Sequence, residues 1–305
     1  MLQELNRRLS GVLRFNEPMS RHTSFRIGGP ADALFVPRDL GELKKCLKET
    51  HELGIPVTVI GNGSNLLVCD GGIRGLVIKL SGTLDWIHIS GNRVRAGCGV
   101  LLSTLAYKAV EAGLGGLEFA AGIPGTLGGG VIMNAGAYGG EMKDVVTSVR
   151  ALRPTGEECD FSAAEMSFGY RRSSMQNSGL YALEVAMELQ PTNKEESLAV
   201  IRDLNDRRKA KQPLALPSAG SVFKRPEGYY AGPLIEKAGL KGLRIGDAEV
   251  STVHANFIVN VGNATAADVL ALIAHVRDTV YRESGVMLEQ EVKVIGEQCE
   301  EEYHV

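Results

Sequence analysis

Residues 115–140 read GGLEFAAGIPGTLGGGVIMNAGAYGG and hold ten of the chain's 37 glycines. Such a stretch offers main chain more than side chain. Glycine tolerates positive φ and lets another group approach bare N–H and C=O, so a run this dense suits a flat or phosphorylated ligand. The competing reading is a flexible linker, but linkers are commonly Ser-rich and polar. Here Ile123, Pro124, Leu127, Val131, Ile132 and Met133 alternate with the glycines and need burial. The stretch reads as a packed loop that binds a ligand, and a large cofactor is the natural one.

Working upstream, Asp39 to Glu42 has capping-box spacing and opens an amphipathic helix through Leu40, Leu43 and Leu47, closed by Gly54. Residues 55–60 are a β-branched strand that delivers the chain into Gly61-Asn62-Gly63-Ser64-Asn65-Leu66-Leu67. A glycine turn after a strand is where a phosphate-binding loop belongs. This one is no Rossmann fingerprint, because the third glycine would fall at Leu66, and it lacks the Lys-Ser/Thr of a P-loop. Its N–H groups, with Ser64 and Asn65, suit a pyrophosphate, and an ordinary tight turn is the bland alternative. Two glycine loops in one chain favour a dinucleotide laid between them.

Downstream, residues 76–97, 145–152 and 181–189 read as strands and residues 102–110 as a helix. A charged helix starts at Asn193 and stops at Pro213, which marks a domain boundary. Residues 251–261 alternate, with Val253, Ala255, Phe257, Val259 and Val261 on a core face and His254, Asn256, Ile258 and Asn260 on a face that meets a ligand. A capped helix follows from Thr265 to Ser284. Residues 288–296 close as a strand, with Glu289, Glu291 and Lys293 on one face, and the acidic tail beyond Gly296 reads as solvated.

Bulk properties exclude several classes. The balance of 33 basic and 36 acidic residues leaves a net charge of −3, without a basic stripe interleaved with aromatics, so nucleic acid is not an expected partner. No apolar run is long enough to cross a bilayer, and the N-terminal residues lack the apolar core of a signal peptide. A cytoplasmic protein is expected. Cysteines at 46, 69, 98, 159 and 299 have no metal-ligand spacing and read as buried thiols in a reducing compartment, with no metal bound.

Single side chains give weaker signals. Arg171 lies in Phe168-Gly169-Tyr170-Arg171-Arg172-Ser173, an aromatic setting that favours a partly desolvated guanidinium aimed at an anion over a surface charge. Ser221 lies in a Gly-Ser turn, where most serines only cap. Glu291 reads as a salt-bridge partner of Lys293.

Together these pieces resemble the UDP-N-acetylenolpyruvoylglucosamine reductase family. The matching stretches are TSFRIGG at 23–29, GNGSNLL at 61–67, AGIPGTLGGGVIMNAGAYG at 121–139, FGYRRS at 168–173, AGSVFKRP at 219–226, GLKG at 239–242 and LEQEVKVIG at 288–296. They occur in the family's order from about residue 20 to 296. The resemblance implies an α+β fold: a two-lobed FAD-binding domain of the p-cresol methylhydroxylase-like type plus a C-terminal α+β substrate-binding domain. The implied spans are 1–80, 81–205 and 206–305, with the last strand and tail returning to the first lobe.

The resemblance also implies the activity. Non-covalent FAD is reduced by NADPH and reduces the enolpyruvyl group of a UDP-sugar, giving UDP-N-acetylmuramate for peptidoglycan. Residue by residue it makes Arg171 the cation at the developing charge, Ser221 the proton donor and Glu291 the group that hydrogen-bonds the enediolate-like intermediate. FAD is held by Arg26, Gly61, Asn62, Gly63, Ser64, Asn65, Leu66, Gly122, Ile123, Pro124, Gly125, Gly128, Gly129, Asn134, Ala135, Gly136, Ala137 and Tyr138. The UDP-sugar is held by Lys211, Lys224, Arg225, His254 and Asn256, and the protein is expected to be a monomer. The chain departs from part of the family after Arg171. Only a short link precedes the next strand, so the inserted loop whose tyrosine closes over the substrate is absent, and what covers the nucleotide stays open. Two other readings stay open on the same loops: an FAD oxidase of small alcohols, and a non-catalytic flavin or nucleotide-binding regulator.

Overall fold

The computed structural model describes residues 1–9 and 13–297. Two compact units emerge, each assembled from separated stretches. The first takes Met1–Arg14, Ala33–Asn62 and Gly75–Arg208, and the second takes Phe15–Asp32, Gly63–Arg74 and everything from Lys209 onward.

In the first unit the helix Leu40–Glu52 starts where the sequence says it should. The Asp39 carboxylate accepts the Glu42 N–H at 2.9 Å, and Leu43, Cys46 and Leu47 are buried one turn apart. Gly54, at φ +62°, ends it. The chain returns as the strand Val57–Ile60, paired in parallel with residues 76–79. Beyond it an antiparallel sheet runs in the order Glu158–Ser162, Val146–Leu152, Tyr181–Glu188, Arg93–Gly97, Ile87–Ser90. The helix Leu102–Glu111 buries Leu102, Leu105, Ala106, Ala109 and Val110, a single stripe. The short helix Leu127–Ile132 packs on the strands Tyr181–Glu188 and Arg93–Gly97. The helix Lys194–Lys211 buries only Ser197 and Ile201, in keeping with its charged sequence.

The second unit is built on an antiparallel sheet ordered Ser218–Ser221, Phe257–Asn260, Ala248–Val250, Arg244–Ile245. The helix Ala266–Ser284 packs its apolar stripe into the same core as Phe25, Ile27 and Leu67. Thr265 caps that helix through the Asp268 N–H at 3.1 Å, and Gly285 at φ +69° stops it. Asp70 adds a second cap, accepting the Ala266 and Ala267 N–H groups at 2.9 Å each. The last strand, Lys293–Ile295, runs parallel to Leu66–Val68.

Three readings need correction. The alternating strand expected over 251–261 is present only as Phe257–Asn260, all four of whose residues are buried. Ahead of it the Ser251 hydroxyl accepts the N–H groups of Val253 and His254, which takes them away from a ladder and leaves Val253 exposed. The closing strand is likewise shorter than 288–296. Finally, the cysteines do not form a uniform set of buried thiols. Cys46 and Cys98 are buried and free, Cys159 is free and half-buried, and Cys69 is disulfide-bonded. Burial pushes the Cys46 thiol up to about 12 and Cys98 higher still, so neither is a nucleophile. Cys299 and the acidic tail from residue 298 lie outside the described residues.

Among the described residues no helix is long and apolar enough to cross a membrane. Asp70→Ala removes a cap made of two charge-assisted bonds at a helix start. Chemical denaturation is expected to show a loss of about 1–2 kcal/mol, and an unchanged midpoint would remove the cap from the account.

Candidate cofactor and substrate sites

Gly61 and Asn62, which open the first glycine loop, meet the second loop inside the first unit. The strand Val57–Ile60 ends at Gly61, and a Cβ there would overlap the Thr126 hydroxyl. Asn62 Nδ2 donates to the Pro124 carbonyl at 2.6 Å. The second loop is laced onto the end of a strand: Leu127 N–H donates to Val100 O at 2.8 Å, Gly128 N–H to Cys98 O at 3.0 Å and Leu102 N–H to Gly125 O at 3.0 Å.

Not all of its glycines serve a ligand. A Cβ at Gly128 would lie 2.9 Å from Cys98 Cβ, one at Gly130 3.0 Å from Leu102, and one at Gly140 2.5 Å from Phe119. These three let backbone and core close up. Gly129 differs: it is exposed, a Cβ there would meet nothing nearer than 3.7 Å, and among the described residues its N–H has no protein acceptor. Open main chain in the first turn of a helix is the local property a phosphorylated, planar cofactor requires.

The rest of the loop is braced by the 168–173 turn. Asn134 is fully buried, donates to Glu141 Oε2 and to Gly169 O at 2.9 Å each, and accepts the Lys143 N–H at 2.9 Å. Its amide is thereby committed to holding the loop against the turn. Gly169 and Arg172 exchange main-chain bonds of 2.9 and 3.1 Å, which leaves Tyr170 and Arg171 at the tip. Arg171 Nη2 donates to Gly136 O at 3.0 Å, and the guanidinium lies 5.1 Å from the Tyr170 ring centre. At the third position of such a turn a positive φ ordinarily selects glycine, yet Arg171 sits there at φ +53°. Arg26, Asn134 and Tyr138 share the left-handed region at φ +55°, +42° and +53°. Asn16, Leu84, Ser167 and Asn177 lie in the same region, so it is the bonds these side chains make, not the conformation by itself, that point to a role.

Arg208 belongs to this cluster, and the sequence reading passed over it. It sits in a charged run, Arg207-Arg208-Lys209-Ala210-Lys211, that resembles a solvated helix face. Its guanidinium donates to the Gly122 carbonyl, Asn205 one turn earlier faces the same glycine, and burial draws its pKa down, partly offset by Tyr138. The only available signal was the Asn205–Arg208 spacing, one helical turn.

The second unit gathers Arg26, Gly63, Ser64, Asn65, Leu66, Lys211, Ser221, Lys224, Arg225, His254, Asn256 and Glu291. Ser24 N–H donates to Gly63 O at 3.2 Å, which seats the Arg26 turn beside the start of that loop. Ser221 ends the strand Ser218–Ser221, opposite Phe257. The next residue, Val222, accepts the Glu291 N–H at 2.7 Å, so the main chains of Ser221 and Glu291 are brought close together. Asn65 Nδ2 donates to Glu291 O at 3.3 Å and Asn65 O accepts the Lys293 N–H at 2.9 Å, which ties the loop to the same strand. Lys224 pairs with Glu289.

Asn256 is buried, and its amide accepts the Phe223 N–H at 3.0 Å and donates to Phe223 O at 2.9 Å. It holds the segment that follows Ser221. His254 Nδ1 accepts the Asn256 N–H at 3.2 Å, which leaves the ring proton on Nε2, and the ring meets Phe257 edge to face at 5.1 Å. Burial lowers its pKa below the ordinary 6.5, so the ring is neutral at pH 7. Among the described residues no group of His, Cys, Asp or Glu is placed to hold a metal.

Comparison with known proteins adds what geometry cannot. Residues 31–162 match the model of an FAD binding domain, and residues 212–295 match the model of the C-terminal domain of UDP-N-acetylenolpyruvoylglucosamine reductase. A reductase of that name from Alkaliphilus oremlandii is 52% identical over 287 residues, covering 94% of both chains. One from Clostridioides difficile is 50% identical, covering 93% of this chain and 94% of its own. The crystal structure of the corresponding reductase (MurB) from Thermus caldophilus superposes with a TM-score of 0.80 at 37% identity, covering 94% of this chain and all of that one. Gly61→Ala places a methyl group against Thr126 at the junction of the two loops. FAD affinity is expected to fall about 5- to 100-fold in a flavin-fluorescence titration, and an unchanged affinity would show that the junction does not form the flavin site.

Proposed function

The chain belongs to the UDP-N-acetylenolpyruvoylglucosamine reductase family, and we propose that it catalyses that family's reaction with the residues described above. It is an FAD-dependent oxidoreductase of peptidoglycan precursor synthesis. It converts UDP-N-acetylglucosamine enolpyruvate to UDP-N-acetylmuramate at the expense of NADPH. The observation that carries this reading is the junction of the two glycine loops, where Asn62 bonds Pro124 and Gly61 leaves room for Thr126.

FAD held by the two glycine loops would supply hydride chemistry, with NADPH as its reductant. The protein's own residues have three tasks. Saturating the enolpyruvyl double bond develops negative charge at C2 and on the adjacent carboxylate, and a preorganised cation there lowers the barrier. Arg171 is that cation in our reading, its fork already fixed by Gly136 O. C2 must also take up a proton, and Ser221 Oγ holds it. A serine hydroxyl is a weak acid, so the positive charge of Lys224 or Arg225, three and four residues on, stabilises the oxygen as the proton leaves. Glu291 orients the reacting group beside Ser221, and their adjacent main chains support the pairing.

The remaining roles follow by position. FAD is assigned Gly61, Asn62, Gly122–Gly125, Gly129 and Asn134–Tyr138 of the first unit and Arg26 and Gly63–Leu66 of the second, with Asn134 acting by bracing the loop and Gly128 by letting it close on Cys98. Lys211, Lys224, Arg225 and His254 face the UDP-sugar, and Asn256 acts through Phe223. The protein works as a cytoplasmic monomer.

Ser221→Ala separates the two half-reactions. Anaerobic stopped-flow is expected to show normal flavin reduction by NADPH and reoxidation by the enolpyruvyl UDP-sugar slowed by about two orders of magnitude or more. Reoxidation at the wild-type rate would take Ser221 out of the mechanism.

A further inference from the structure

Beyond the reacting atoms, a UDP-sugar carries a flat uracil base that needs a π surface, and the second unit presents one. Tyr229 and Tyr230 are adjacent, and 51% and 59% exposed. The Arg225 guanidinium lies 4.1 Å from the centre of the Tyr230 ring, a cation–π contact that covers one face and fixes the ring's orientation. Tyr170 also carries a guanidinium, that of Arg171 at 5.1 Å, but among the described residues no other exposed tyrosine has a second exposed tyrosine beside it in sequence.

The local chain explains why the pair stands out from the surface. Phe223 is buried and pinned by both amide atoms of Asn256. Three residues on, Pro226 to Tyr229 form a turn closed by the Tyr229 N–H to Pro226 O at 3.2 Å, with Gly228 at φ +74° in its third position. Immediately after Tyr230 the helix Ala231–Lys237 begins, with Ala231, Gly232 and Ile235 buried. The tyrosines therefore sit between two anchored points and lose little freedom on binding. Neither is needed for the core, and the Tyr230 side chain caps nothing in the helix it precedes.

We propose that Tyr230, held by Arg225, is the surface on which the uracil of the UDP-sugar stacks, with Arg225 and Lys224 facing the diphosphate that follows. This rests on the function proposed above and supplies what the short link after Arg171 leaves open. The placement favours the uridine nucleotide over NADPH, because the platform follows Ser221, Lys224 and Arg225 in one segment of one unit. Stacking on an aromatic side chain tolerates any base, so the two sources must be separated by experiment.

Calorimetric titration of the FAD-loaded protein with UDP and, separately, with NADP+ makes that separation. Tyr230→Ala is expected to weaken UDP about 5- to 100-fold, while Tyr230→Phe, which keeps the π face, stays within about twofold of wild type. NADP+ affinity is expected to be the same in all three. Unchanged UDP affinity in Tyr230→Ala, a loss confined to NADP+, or an equal loss in Tyr230→Phe would overturn the stacking role while leaving the reductase intact. A wild-type protein that neither binds UDP nor is reoxidised by the enolpyruvyl UDP-sugar would overturn both.

Discussion

A single hydrogen bond and a missing side chain organise the first unit. Asn62 reaches the Pro124 carbonyl, and Gly61 has no Cβ to strike Thr126, so two glycine loops some sixty residues apart close onto each other. Everything distinctive in that unit is arranged to make the junction rigid. The second loop is bonded to residues 98–102, three of its glycines admit core side chains, and Asn134 clamps its far end to the Arg171 turn. What stays open is a short stretch of main chain around Gly129, and rigidity elsewhere keeps it open.

The strained residues follow the same logic. Arg26, Asn134, Tyr138 and Arg171 occupy backbone conformations that glycine would adopt more cheaply. At Asn134 the compensation is visible, since every polar atom of its amide is satisfied. At Arg171 it is the exchange of bonds between Gly169 and Arg172, with Gln176 gripping the Arg171 carbonyl at 2.9 Å.

Much of this was legible in the sequence. The glycine-dense stretch, the strand leading into Gly61 and the caps at Asp39 and Thr265 all follow from spacing and composition, because they rest on local rules, whereas the α+β class came from the family resemblance. The misreadings arose where a tertiary bond overrode a local pattern. Alternation over 251–261 predicts a strand, but the Ser251 hydroxyl captures the first N–H groups and bends the chain away. Asn256 looks like a ligand contact, yet its amide is taken by Phe223. Arg208 was hidden among solvated charges because what distinguishes it is a carbonyl 86 residues away. Cys69, in a chain read as wholly reduced, is disulfide-bonded.

The central claim is that the junction of the two loops creates a flavin site. It is tested most directly by titrating flavin-free protein with FAD and counting the cofactor retained after desalting. The account predicts saturation at one FAD per chain and a yellow protein that keeps it. A correctly folded chain that stays colourless and takes up no FAD would contradict it.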